Sequence, residues 1–158
     1  MIDDWTFFIR VLIAMIVGTV IGFERQFRNR HAGIRTFAII CMASSISTMI
    51  GLYVISKFNQ YDMAYYLLGV IIGMGFLGSG LIYKEFVSGT NVVYGLTSAS
   101  VLLITAVLGV LIGLGMYIRT LISVGMVIIC LWIFRDLELR FGLKKLYYKK
   151  QERNNQSN

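Results

Sequence analysis

Residues 5–37 read WTFFIRVLIAMIVGTVIGFERQFRNRHAGIRTF. Positions 5–23 form an apolar run interrupted by a single charge, Arg10, and positions 24–35 then carry Glu24, Arg25, Arg28, Arg30 and Arg35. An α-helix rises 1.5 Å per residue, so about 20 apolar residues cover the roughly 30 Å hydrocarbon core of a bilayer. The stretch therefore reads as a membrane span with a charged exit. Working outward, residues 37–56 and 63–83 are apolar runs of similar length. Residues 92–134 are too long for one span and are interrupted by Gly109, Gly113, Gly115 and Arg119. This stretch predicts two helices with a junction between positions 109 and 117. The expected fold class is an all-α integral membrane protein, a bundle of about five transmembrane helices.

Composition agrees with that reading. Of 158 residues, 57% are hydrophobic and 15% charged, against roughly 25% charged in soluble domains. The mean hydropathy of +0.73 comes from several runs, so it is not explained by one removable N-terminal signal. The length leaves room for one folded unit: a transmembrane domain over residues 1–134, followed by a basic, amphipathic to disordered cytoplasmic tail over 135–158. The net charge of +7 falls between apolar runs and in the tail, which indicates membrane topology and not a nucleic-acid partner. Cys41 and Cys130 lie inside apolar stretches and read as small apolar filler, with no disulfide or metal-ligand spacing. No proline is present, so any helix break must come from glycine or polar clusters.

Orientation follows from the basic residues, because cytoplasmic loops carry the Lys/Arg excess. Arg25, Arg28, Arg30, Arg35, Lys84 and the tail residues Arg135, Arg140, Lys144, Lys145, Lys149, Lys150 and Arg153 fall on one side, leaving Arg10, Lys57 and Arg119 for the other. The N-terminus is expected outside and the C-terminus in the cytoplasm. The tail is expected to begin as an amphipathic extension of the last helix on anionic lipid and to fray after about residue 150.

Small residues four apart allow helix backbones to approach closely in lipid. Ala14, Gly18 and Gly22 form one such set, Gly69 and Gly73 a second, and Gly109 and Gly113 a third. They fit packing inside one chain and a homodimer equally well. The segment GMGFLGSG (73–80) has four glycines in eight positions, each weakening a helix by about 1 kcal/mol relative to Ala. Two readings stand: a helix unwound at depth to line a polar cavity, or a continuous helix packed tightly on a neighbour.

The charged exit of the first helix is the main candidate site. Glu24 and Arg28 are four apart with the acid first, the favoured order for a helical ion pair. Arg25 lies seven after Gly18, on the small-residue face and so toward other helices. Arg35 and Thr36 open the second helix, with Thr36 as a candidate cap. Such a cluster suits anion binding, proton relay or gating, or a plain positive-inside anchor.

The string RVLIAMIVGTVIGFERQFRNRHAGIRT resembles the first-helix signature of the MgtC/SapB family, with its G-x-x-I-G-x-E-R and A-G-x-R-T elements. Two further blocks follow in the family order. GMGFLGSG resembles G-I-G-F-L-G-A-G, and GLTSAS at 95–100 resembles G-L-T-T-A-A. The matched positions include Glu24, Arg25, Ala32, Gly33, Arg35, Thr36, Gly73, Gly75, Phe76, Leu77, Gly78, Gly80, Gly95, Leu96 and Thr97. The resemblance implies a short form without the soluble C-terminal domain of longer members. It also implies a multi-pass protein of the bacterial inner (plasma) membrane, tied to growth at low magnesium and to virulence. Tyr65 and Gly69 stand where many members have Arg and Gln, and the Trp common after the third block is missing.

Two functions from different classes are expected to compete. The first is a regulatory protein of magnesium or ion homeostasis that acts on membrane partners, such as another transporter or the ATP synthase. The second is a direct transporter or channel for Mg²⁺ or another ion. Mg²⁺ is held by carboxylates and retained waters, yet no Asp or Glu lies centrally in an expected span, and Asp62 and Glu85 sit at loop edges. An anion path past Arg10, Arg25, Arg35 and Arg119, or a monovalent-cation path over Thr97, Ser98, Ser100 and Thr105, stays open. An enzyme is not expected: His31 is the sole histidine, and no phosphate-binding, zinc or haem motif or other cofactor signal occurs.

Overall fold

The computed structural model describes residues 3–30, 32–58, 62–87 and 90–140. It contains helices α1 (Asp4–Phe27), α2 (Ile34–Phe58), α3 (Met63–Ser79), α4 (Leu96–Gly113) and α5 (Tyr117–Arg140), with strands β1 (Tyr83–Val87) and β2 (Thr90–Tyr94) between α3 and α4. α1, α2 and α4 are each long and apolar enough to cross a membrane, and α3 and residues 117–133 are shorter apolar helices. The expected split of residues 92–134 falls at Leu114–Met116, inside the expected window. α5 runs on to Arg140, and residues 141–158, most of the expected tail, lie outside the described residues.

Two helix ends use the same device. At the end of α1, Asn29 adopts φ 51°, its N–H donates to the Gln26 carbonyl, and the Arg30 N–H donates to the Arg25 carbonyl. At the end of α4, Gly115 at φ 80° does the same, with Gly115 N–H on Ile112 and Met116 N–H on Leu111. A left-handed residue closing the last carbonyls in this pattern reverses the chain within a few residues. Each device satisfies carbonyls of the last turn, those of Arg25 and Gln26 in α1 and of Leu111 and Ile112 in α4.

One sequence expectation needs correction here. Thr36 does not cap α2, because the helix already begins at Ile34. The cap comes from across the corner, where the Gln26 side-chain carbonyl accepts from the Ile34 N–H at 3.3 Å. Thr36 is an exposed residue of the first turn.

The apolar run expected over residues 63–83 also ends early. α3 stops at Ser79 with Gly80 as its cap, and the chain enters a hairpin in which Tyr83 pairs with Tyr94 and Val87 with Thr90. The segments YKEFV and TNVVY are rich in aromatic and β-branched residues that fit a pleated surface. The expected helical runs 63–83 and 92–134 thus overlap the hairpin at Tyr83 and at residues 92–94, which are strand and not helix.

α2 is the centre of the bundle. A methyl group added at Gly18 would lie 2.5 Å from the Phe37 carbonyl oxygen, and one at Gly22 would lie 2.6 Å from the Ile34 Cα. α1 and α2 therefore touch backbone to backbone, antiparallel. On the other side of α2, Gly109 meets Cys41 and Ser44, and a methyl at Gly113 would lie 2.6 Å from the Thr48 Cβ. Both series ascend together, so α2 and α4 run parallel. Phe37, Ile21, Met49, Leu108 and Ile112 fill the remaining volume and are fully buried. Two of the three small-residue sets are thereby spent inside one chain.

α3 is different. It is helical without interruption from Met63 to Ser79, and Gly78 is its one buried residue. Gly69, Gly73 and Gly75 have nothing within 4 Å of an added Cβ, while Gly78 rests on Ala99 of α4 at 3.6 Å. Of the two readings of GMGFLGSG, the backbone is the continuous helix as far as Ser79, but Gly73 and Gly75 face open space and only Gly78 meets a neighbour.

Candidate functional site

The cytoplasm-facing end expected from the charge pattern is where α1, α4 and α5 converge. Glu24 and Arg28 form the anticipated i, i+4 ion pair, through Arg28 Nε and Glu24 Oε1. Arg25, on the face of α1 that carries Gly18 and Gly22, is 2% exposed and turns inward. Its Nη2 donates to Ser98 Oγ in the first turn of α4 at 2.8 Å. Its Nη1 stands 4.0 Å from the Glu24 carboxylate. Arg28 reaches the other way: Nη1 donates to the Leu131 carbonyl of α5 at 3.4 Å, and its guanidinium lies 5.4 Å from the Trp132 ring centroid. One turn of α1 thus ties both later helices.

The electrostatics at this end are unusual. The first turn of a helix carries about half a positive charge on its free N–H groups, and Arg25 brings a full positive charge to that turn of α4. Glu24 supplies the compensating negative charge between two guanidiniums. Yet neither Glu24 oxygen nor Arg25 Nε makes a well-formed hydrogen bond among the described residues, and all three atoms are shielded from solvent. A buried positive surplus held by one carboxylate is suited to an incoming acidic group, or to a partner residue that rearranges the pair.

The remaining sequence candidates separate. Arg35 and Thr36 are exposed on α2. Thr97 is exposed at the start of α4. Gly95 serves the backbone: it is the N-cap of α4 at φ 87°, and its α-carbon lies against the Leu81 carbonyl, where no side chain fits. Gly80 caps α3 and Gly78 contacts Ala99, while Gly73 and Gly75 contact no other part of the chain within 4 Å. His31 lies outside the described residues.

Arg10, expected only as a member of an anion path, mirrors Arg25. Arg10, near the other end of α1, donates from Nη1 to the Gly113 carbonyl at the C-terminus of α4 at 2.6 Å. A Cβ on Gly115 would sit 3.0 Å from its Nη2. The signal was present as a lone arginine inside an apolar run, which marks a functional or structural position by default, but its partner was not visible. Thr105, already a candidate for a cation path, is buried on α4 together with Ser44, Ser45 and Thr48 of α2, which the sequence did not single out. Thr48 and Thr105 donate to carbonyls one turn back.

Apolar helices joined by tight glycine contacts, with arginines turned into the bundle, define a helical membrane protein organised around buried charge. The chain belongs to the MgtC family, whose sequence model matches residues 11–140. It is 39% identical to protein SrpB of Synechococcus elongatus over 136 residues, covering 82% of this chain and 75% of that protein. It is 33% identical over 147 residues to YhiD of Escherichia coli, named there as a candidate magnesium transporter, covering 90% of this chain and 66% of YhiD. Against protein MgtC of Brucella abortus the identity is 38% over 103 residues, 65% of this chain and 40% of that protein. No solved structure matches.

Proposed function

We propose that this chain is a non-enzymatic regulator of magnesium or general ion homeostasis, acting through other membrane proteins. It would be a multi-pass protein of the bacterial inner membrane, with five spans and the Glu24–Arg25–Arg28 end in the cytoplasm, in a stress- or virulence-linked role. Magnesium enters through the family and through the name carried by the Escherichia coli relative. A transport complex or the ATP synthase is the kind of partner expected.

The observation that carries this reading is where the bundle is closed and where it is charged. The α2–α4 seam is shut along the last turns of α4, where Gly109 and Gly113 meet Cys41, Ser44, Ser45 and Thr48 with no room for a methyl group. Charge gathers instead at one end, beside a helix terminus and under a single carboxylate. That is an arrangement for docking or sensing more than for conduction. The alternative, a direct ion path, is favoured by one feature: the hydroxyls of Ser44 and Ser45 are buried in the seam with no hydrogen-bond partner among the described residues.

The two separate in proteoliposomes and cells together. Purified protein should pass Mg²⁺ no faster than empty vesicles, while cells carrying Arg25→Ala should fail to grow at low magnesium despite normal membrane abundance. Uptake by the pure protein that disappears on Ser44→Val would defeat the regulator reading.

A further inference from the structure

The hairpin between α3 and α4 has a face that none of the other described residues covers. Both of its ends are held close to helix termini. After α3, the Leu81 and Ile82 N–H groups donate to the Gly78 and Ser79 carbonyls. Before α4, Gly95 seats against the Leu81 carbonyl. Strands of five residues rise about 3.3 Å per residue, so the far strand ends at Val87 and Thr90 lie within about 17 Å of the two helix ends.

Alternation sorts its side chains. In the antiparallel register Lys84 stands opposite Val93, and Phe86 shares the Lys84 face because successive side chains alternate. On this face Phe86 is 72% and Val93 50% exposed, and Lys84 is exposed. The other face carries Tyr83 stacked on Tyr94 at 5.6 Å between centroids and Glu85 opposite Val92; Val92 and Tyr94 are half-buried, while Tyr83 and Glu85 are exposed. One face, half-covered on its β2 side, carries the acid Glu85, and the other presents an aromatic, a β-branched residue and a lysine, all exposed.

Exposed apolar residues continue along the chain from this face in both directions. On α3 they are Phe76 and Leu77, then Ile82 leads into β1, and Leu96 follows β2 in the first turn of α4. An aromatic ring beside a lysine, adjoining a lipid-facing surface, is the composition of elements that lie in the headgroup region. The apolar group enters the acyl boundary and the ammonium meets lipid phosphate.

We propose that the β1–β2 hairpin lies flat in the lipid–water interface, with Phe86 and Val93 at the acyl boundary and Lys84 on anionic headgroups. This rests on the reading of α3 and α4 as membrane spans. It binds the start of α4, which holds Ser98 and through it Arg25, to the surface of the bilayer.

The test uses the full chain in nanodiscs of phosphatidylethanolamine and phosphatidylglycerol, with Phe86→Trp placed in a Trp5→Phe, Trp132→Phe background. Lipid brominated near the headgroup should quench this tryptophan several-fold more than lipid brominated near the chain end, and aqueous iodide should not reach it. Quenching by iodide with none by either lipid would overturn the proposal and leave the face to a cytoplasmic protein. Raising the phosphatidylglycerol fraction should strengthen lipid quenching, and Lys84→Glu should abolish that increase; an identical dependence in both would overturn the lysine contact. Phe76→Trp on α3 tells the two levels apart. If it is quenched deep in the bilayer while position 86 is in water, the hairpin placement alone fails. If position 76 is also in water, the span reading fails with it.

Discussion

α1 delivers an arginine to each end of α4, and the two ends receive it differently. Arg10 donates to the Gly113 carbonyl, where the helix terminus is negative and a cation is favourable. Arg25 donates to Ser98 in the opposite terminal turn, where the backbone is already positive. The Arg10 end reaches its carbonyl partner with no carboxylate among the charge pairs of the described residues, whereas the Arg25 end recruits Glu24. The difference teaches which end is scaffold. Arg10 closes a helix terminus by satisfying its carbonyl, although its Nε, like that of Arg25, is buried with no partner among the described residues, while Arg25 sits against its local field and depends on a neighbour for balance.

That comparison can be broken most sharply at Glu24. Replacing it with Gln leaves Arg25 buried beside the positive terminus, and removing one partner of a buried pair costs about 3–5 kcal/mol. Adding Arg25→Gln should recover much of the loss, read as a double-mutant cycle of unfolding free energy in bicelles. A loss below about 1 kcal/mol for Glu24→Gln would mean the carboxylate does not balance the arginine.

At the other end the effect should be smaller and purely structural. Arg10→Gln removes a charged hydrogen bond worth about 1.5–3 kcal/mol. Stability should fall by that order, while growth at low magnesium is retained at a temperature where the variant stays folded. Loss of growth with full abundance would make Arg10 a working residue and erase the contrast.

The smallest effects concern the ties to α5 and the open glycines of α3. Trp132→Leu removes a ring lying under Arg28, a contact worth about 0.5–1 kcal/mol at an exposed site. Gly73→Ala, at a position with nothing within 4 Å, should raise stability by up to about 1 kcal/mol through helix propensity, against a loss of about 1–3 kcal/mol from overpacking for Gly113→Ala. If Gly73→Ala instead destabilises the protein, α3 has a partner that the single chain does not show.

Hydropathy and spacing were enough to predict the helices, the corner after Gly113, the Glu24–Arg28 pair and the inward turn of Arg25, because each depends on runs and intervals along one chain segment. The lipid requirement that backbone groups be satisfied within a helix leaves few other ways to place such runs. The hairpin, the Gln26 cap and the exposure of Arg35 and Thr36 were hidden, since each turns on which surface a segment meets after the chain has folded back. So too were the separate fates of the glycine sets: the same four-residue spacing closes α1 and α4 onto α2 and leaves α3 open. Spacing states that a close approach is allowed; only the packing of distant segments decides whether a backbone arrives to use it.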